Sequence, residues 1–191
     1  MDQSPTDHST STTTEGAIRS LDTLVGHPHP GFLPLEMFLF ISRHVPLFTV
    51  DLWIQDASGR VLLTWRDDAY FGSGWHVPGS ALRFQETIAH RLHECAREEL
   101  GATVDYDPTP MALMEEIEPQ VRTRGHNVSA AYRCRLLTPP DPSRAYHAGA
   151  PQQGQWAWHA ACPPDLLPVH RVYAEHFPVA QPPRSTRQDD A

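Results

Sequence analysis

The sequence predicts a sandwich of helices and mixed strands, of the α+β or α/β class, in one compact unit. Three observations predict it. Runs of strand length rich in Val, Ile, Leu, Phe and Trp recur along the middle of the chain, a strongly periodic helical pattern interrupts them, and no internal repeat is present. The 191 residues suffice for one domain of ordinary size plus tails.

Residues 1–30 are Ser/Thr-rich over most of their length and poor in large apolar groups, which predicts a disordered tail; residues 179–191 read the same way. The segment from Pro34 to Val45 reads as a helix, with proline at a tolerated first-turn position. Pro46–Asp56 and Arg60–Arg66 read as strands joined by a hairpin-length turn. Gly74–Gly79 is a short strand ended by a Pro-Gly turn. A helix follows from about Gln85 to Leu100, stopped by Gly101 at a position suited to a left-handed cap. Met111–Glu118 and Asn127–Leu137 are two further strands. A proline-rich loop, Thr138 to about Pro151, leads to a strand at Trp156–Trp158 and a last helix in Pro164–Phe177.

The net charge is −8 and every one of the 15 basic residues is arginine, which argues against general nucleic-acid binding. A few local arginines still suffice for a small phosphate ligand. Cys95, Cys134 and Cys162 are odd in number with no C-x-x-C pair, against a disulfide framework or a structural zinc site. No apolar run is long enough to span a membrane, and the N-terminus does not read as a secretory signal, so the expected compartment is the cytoplasm.

The helix ending at Gly101 raises the main chemical question. At about 100° per residue, Glu98 lies near 40° from Glu94, Cys95 near 100° and Glu99 near 140°. Ile88, Leu92 and Ala96 form a separate stripe, expected to face the core. Carboxylates at i and i+4 repel, so the crowding asks for a counter-charge. A bound divalent cation supplies one, because hard cations take oxygen ligands. A solvated charged face is the plainer reading.

Strand, Pro-Gly turn and carboxylate helix together resemble the Nudix hydrolase family, whose motif is glycine, five residues, Glu, seven residues, Arg-Glu, an aliphatic, any residue, Glu-Glu, any residue, Gly. Glu86, Glu98, Glu99 and Gly101 match at the right separations, after Pro78-Gly79. The resemblance implies an α+β, Nudix-type α/β/α sandwich with a mixed sheet over residues 31–178. It also implies a Mg²⁺ (or Mn²⁺) site at Glu98 and Glu99 near Gly79. The departures are Ser80 for the motif glycine, Glu94 for its arginine and Cys95 for a ligand glutamate. A thiol suits Mg²⁺ poorly. Glu94, paired with Arg91, is read as the replacement third carboxylate, and Cys95 as a small core-edge residue.

The stretch from Pro46 to Gly79, with His126–Leu137 and Asp165–Phe177, is similar to GDP-mannose mannosyl hydrolases within that family. This implies hydrolysis of a nucleoside diphosphate-sugar by water attacking the anomeric carbon. Arg66 then stabilises the leaving diphosphate and Asp51 belongs to the sugar site. A second arginine of that subfamily is here Ala81, with Arg83 nearby. Its histidine base falls where this chain has Gln152 and Gln153, and glutamine accepts no proton. His147 is the first substitute base; His126, Glu115 and Glu116 are weaker ones, and His126 and His170 match subfamily positions without an assigned role. Trp75 is the tryptophan expected to stack on a base, ahead of Trp156 and Trp158. Two other readings stand beside this: a module that binds nucleotide sugars without turnover, and a pyrophosphatase attacking phosphorus. A homodimer through the Pro34–Val45 helix is a further expectation.

Overall fold

The computed structural model describes residues 8–26 and 33–178. Residues 1–7, 27–30 and 179–191 of the expected tails lie outside the described residues. The rest of the N-terminal stretch departs from expectation, because His8–Val25 forms a helix, α1. Hydroxyls that usually compete with a helix are here satisfied on its own carbonyls: Ser20 Oγ donates to Gly16 O at 3.0 Å and Thr23 Oγ1 to Arg19 O at 2.8 Å.

A short helix α2 (Leu35–Ile41) leads into β1 (Leu47–Ile54). One sheet is built on β1 and β7 (His126–Leu136), which run parallel with Leu47 opposite Asn127 and Ile54 opposite Cys134. On the outer edge of β1 lies β4 (Gly79–Ala81), antiparallel, with Asp51 opposite Gly79. On the far edge of β7 lie β5 (Val104–Tyr106) and β6 (Ala112–Ile117), both antiparallel. The second sheet is antiparallel, in the order β3 (Gly72–His76), β2 (Val61–Asp68), β8 (Trp156–His159).

The hairpin expected between β1 and β2 is replaced by a hand-over between sheets. Asp56 Oδ1 accepts from the backbone N–H of Ser58 and of Arg60, and Gly59 takes φ +79°. Beyond that tight turn only the bridge Gln55–Val61 joins the two strands, and the chain passes to the other sheet.

Helix α3 (Ile88–Leu100) starts three residues later than its pattern suggests. Gln85 sits at φ +59° and Glu86 belongs to a turn, its carboxylate accepting from Arg83 N–H at 3.0 Å. Thr87 caps the helix by accepting from His90 N–H, and Gly101 ends it at φ +63°, as its position predicts. The expected stripe does face inward: Leu92, Ala96 and Leu100 pack with Cys95 against Val50, Leu52 and Ile54. The pleat of β1 sends Asp51 and Trp53 to the opposite face. There Trp53 stacks on Tyr173, which comes from a 3₁₀ segment, Pro168–His176, in place of the α-helix expected at the C-terminal end. β1 is therefore covered on both faces, and its side chains can deliver one polar group into the second layer.

Candidate active site

A cleft opens between the β1–β4 edge, the end of β2 and the 3₁₀ segment. Asp51, Arg66, His76, Gly79, Glu116, Arg124 and His170 are among its lining residues. Its floor is an acid pair. Asp51 on β1 and Glu116 on β6 are each 3% exposed, and the Tyr173 hydroxyl donates to Asp51 Oδ2. Gly79 is required beside them, because a Cβ there would collide with Asp51 Oδ1. Burial raises the Asp51 carboxyl, against the pull of the Ser129 and Tyr173 hydroxyls. Burial, then the neighbouring Asp51 charge, raises Glu116 further. Two carboxylates this close repel each other, which favours a proton or a cation between them.

The wall of the cleft is cationic. Arg66 Nη2 lies 3.3 Å from His76 Nε2, and His76 Nδ1 lies 2.8 Å from the Thr64 carbonyl. That pattern fixes a neutral imidazole donating from Nδ1 and accepting from Arg66. Burial, and after it the Arg66 charge, holds His76 well below the usual imidazole range. Arg124, at φ +64°, lies over Phe71 at 5.3 Å and Tyr70 at 5.6 Å, and Arg66 lies over the same Phe71 at 5.5 Å. Burial and the Arg66 charge both depress Arg124. Two guanidinium groups beside one cleft make an environment suited to an anion.

The helix carboxylates are arranged otherwise. Glu94 is held by Arg97, with contacts down to 2.6 Å, and this pairing lowers its pKa; it does not pair with Arg91 or line the cleft. Glu98 accepts from Arg83 and Arg91, both at 3.0 Å, with Arg97 at 3.6 Å. Arg91 is fully buried and also reaches Glu86 at 3.8 Å. Arginines thus supply the counter-charge that a cation was expected to bring. Glu99 differs, accepting from Thr64 Oγ1 at 3.2 Å with His76 Nε2 at 3.9 Å; burial foremost raises its carboxyl. Cys95 is fully buried and its thiol is driven far up, chiefly by burial, which agrees with a core-edge role. Glu94 and Glu98 thus carry arginine partners where a Mg²⁺ site would need them open, and Glu99 carries none among the described residues.

Among the other expected residues, Trp75 is 4% exposed and packs edge-on against Trp65, Tyr146 and His159, so it is core and offers no open face to a base. Trp156 donates from Nε1 to Asp141 O. His147 is exposed on its loop and does not line the cleft. Gln153 Oε1 accepts from Asp67 N–H, a tie between loop and strand. Arg83 donates from Nη2 to Glu98 Oε1 at 3.0 Å. Sequence reasoning gave Arg124 no role and named Glu116 only as a weak base. The alternation of β6, with Met114 and Glu116 inward and Glu115 outward, is the signal that separates the two glutamates.

The fold is that of Nudix hydrolases, an α+β arrangement around a mixed sheet. A MutT Nudix hydrolase from Burkholderia pseudomallei superposes with TM-score 0.54 at 22% identity, over 69% of this chain and 98% of that one. A MutT protein from Methanosarcina mazei Go1 gives TM-score 0.54 at 15% identity, over 70% and 94%. No protein-family model matches the chain. Among curated proteins, the low-salt glycan biosynthesis protein Agl8 of Haloferax volcanii is 38% identical over 72 residues. That match covers 38% of this chain and 46% of the relative, just under half its length. No helix among the described residues is long and apolar enough to cross a membrane.

Proposed function

We propose that residues 31–178 form a hydrolase domain acting on a nucleoside diphosphate linked to a sugar, of the GDP-mannose type. The observation that carries this reading is the polarity of the cleft: Arg66 is held at its wall by a neutral His76, opposite the buried Asp51–Glu116 pair. Breaking a sugar–diphosphate bond gathers negative charge on the leaving diphosphate, where a fixed guanidinium is worth most. Asp51, which lines the same cleft, is assigned to the sugar or the attacking water. Arg124 adds a second cation to the anion side. A divalent cation, Mg²⁺ or Mn²⁺, would neutralise the diphosphate when bound. A sugar-linked substrate also accords with the glycan role in the name of the Haloferax relative.

A second reading, a module that binds without turnover, draws on the arginine-locked Glu94 and Glu98 and the loss of a ligand at Cys95. Incubation with nucleotide sugars and nucleoside triphosphates in ¹⁸O-labelled water, with Mg²⁺ or Mn²⁺, separates the possibilities. Label in the sugar is the expected result. Label in phosphate means attack at phosphorus, and retention of ligand without product means a binding module.

Working in the cytoplasm accords with the free thiols of Cys95, Cys134 and Cys162. The exposed Leu35, Phe40 and Val45 around α2 suit contact with a second copy, read by the mass in solution of a Phe40→Asp variant.

A further inference from the structure

The floor of the cleft presents a second chemical problem, because two carboxyls and an imidazole converge there without enough partners. Asp51, Glu116 and His170 can each bring a ligand atom to within 4.8 Å of the others. They come from three elements, β1, β6 and the 3₁₀ segment, and are 3%, 3% and 5% exposed. Glu116 Oε1 and His170 Nδ1 are buried with no hydrogen-bond partner among the described residues. Orphaned polar atoms of this kind are costly and ask for an occupant. The Arg66 charge favours both carboxylates, but its guanidinium contacts are with His76 and Asp68.

We infer that Asp51, Glu116 and His170 form a binding site for a transition-metal dication, seated on the cleft floor and distinct from the motif helix. The charge is balanced: two carboxylates neutralise one dication. The donor set decides the class of ion. Imidazole with carboxylates suits Mn²⁺, Fe²⁺, Co²⁺ or Zn²⁺, whereas Mg²⁺ prefers an all-oxygen shell that keeps several waters. The surroundings hold the donors in place. The Tyr173 hydroxyl orients Asp51 through Oδ2, and the His170 ring stacks on Tyr173 at 5.6 Å. Partners of this kind, behind the ligands, fix donor orientation in metal sites. The cleft that the trio lines has a free volume of about 40 Å³, room for about one water at an open coordination position.

The site rests on the geometry of the cleft and can stand if the nucleotide-sugar reading fails. The test therefore reads metal binding and not turnover. Metal-free protein is titrated with Mn²⁺ alone and followed by loss of the free-ion electron paramagnetic resonance signal. One Mn²⁺ per chain is expected, displaced readily by Zn²⁺ and only at much higher concentration by Mg²⁺. Pulsed spectra of the wild-type complex should show coupling to an imidazole nitrogen, which disappears in His170→Gln. Glu116→Gln should weaken uptake by more than about 100-fold, beyond the loss typical of an outer-shell change. Its thermal midpoint without metal, compared with that of wild type, checks that the fold is kept. Glu94→Gln should bind Mn²⁺ as wild type does. Absence of Mn²⁺ uptake, absence of nitrogen coupling in wild type, or unaltered binding by Glu116→Gln would each overturn the assignment.

Discussion

The acidic face of α3 and the acid pair on the cleft floor differ in where their counter-charge comes from. On the helix, Glu94 and Glu98 meet Arg97, Arg83 and Arg91 at hydrogen-bonding distance. On the floor, Asp51 and Glu116 meet each other, a tyrosine hydroxyl and a neutral imidazole. Carboxylates near arginine stay ionised and need nothing more. Buried carboxylates near one another must take up a proton or a cation. The more crowded cluster in sequence is thus the satisfied one, and the functional pressure sits with two acids 65 positions apart on separate strands.

Removing a cation from the satisfied cluster should break it. Arg91 is fully buried between Glu86 and Glu98. Arg91→Met is expected to lower the unfolding free energy by roughly 3 kcal/mol, the lower end for a broken buried pair because Glu98 retains Arg83 and Arg97. Urea denaturation measures it; an unchanged midpoint would mean that the arginines are not what stabilises the acidic face. In the cleft the corresponding loss is functional. Arg66→Ala should reduce kcat for the nucleotide-sugar that proves to be the substrate by about 10²–10³, the usual cost of one donor aimed at developing charge. A fall confined to KM would instead assign Arg66 to ground-state binding.

Much of the fold was legible because β1 and α3 carry strong local signals. Gly101 marks the end of the helix, and an apolar run marks a central strand. The three-residue strands β4 and β5 carry no such pattern and exist only through their pairing with β1 and β7. The site was legible in part. Asp51 and Arg66 are named through resemblance, and both line the cleft. Glu115 and Glu116 lie on opposite phases of one strand, and the exposed Leu113 and Ile117 share the outer phase with Glu115, so hydrophobicity alone does not separate them. The arginines that neutralise α3 all lie between Arg83 and Arg97, in plain view. Pairing Arg91 with Glu94 in place of Glu98 left an apparent excess charge to explain. Arg124 gave no local signal, since its place over Phe71 and Tyr70 is set by tertiary packing.

pH acts differently on the two regions, because the cleft also contains imidazoles kept neutral. Burial, foremost, holds His76 well below the ordinary value of 6.5 and His170 down to about 3. Below pH 6.5 the unfolded chain binds protons at these positions that the folded chain refuses. Stability contributed by their neutral forms is therefore complete above that value and is lost as pH falls through it. Each fully buried imidazole should add a slope approaching 1.4 kcal/mol per pH unit, at about pH 5.5 and below. His76→Gln should remove one such increment, read as a shallower dependence of metal-free unfolding free energy between pH 6.5 and 5. An unchanged slope would mean that His76 takes a proton in the folded state, and Arg66 would then lose the acceptor that holds it at the cleft wall.

The smallest effect is expected on the helix surface. Glu94 lies outside the cleft, and its only ion-pair partner among the described residues is Arg97, itself largely exposed. Exposed pairs of this kind contribute little, since screening and side-chain entropy offset their attraction. Glu94→Gln should leave thermal midpoint, Mn²⁺ uptake and turnover unchanged. A loss of turnover with metal uptake intact would put Glu94 in contact with substrate, and the two acidic regions would then have to act as one site.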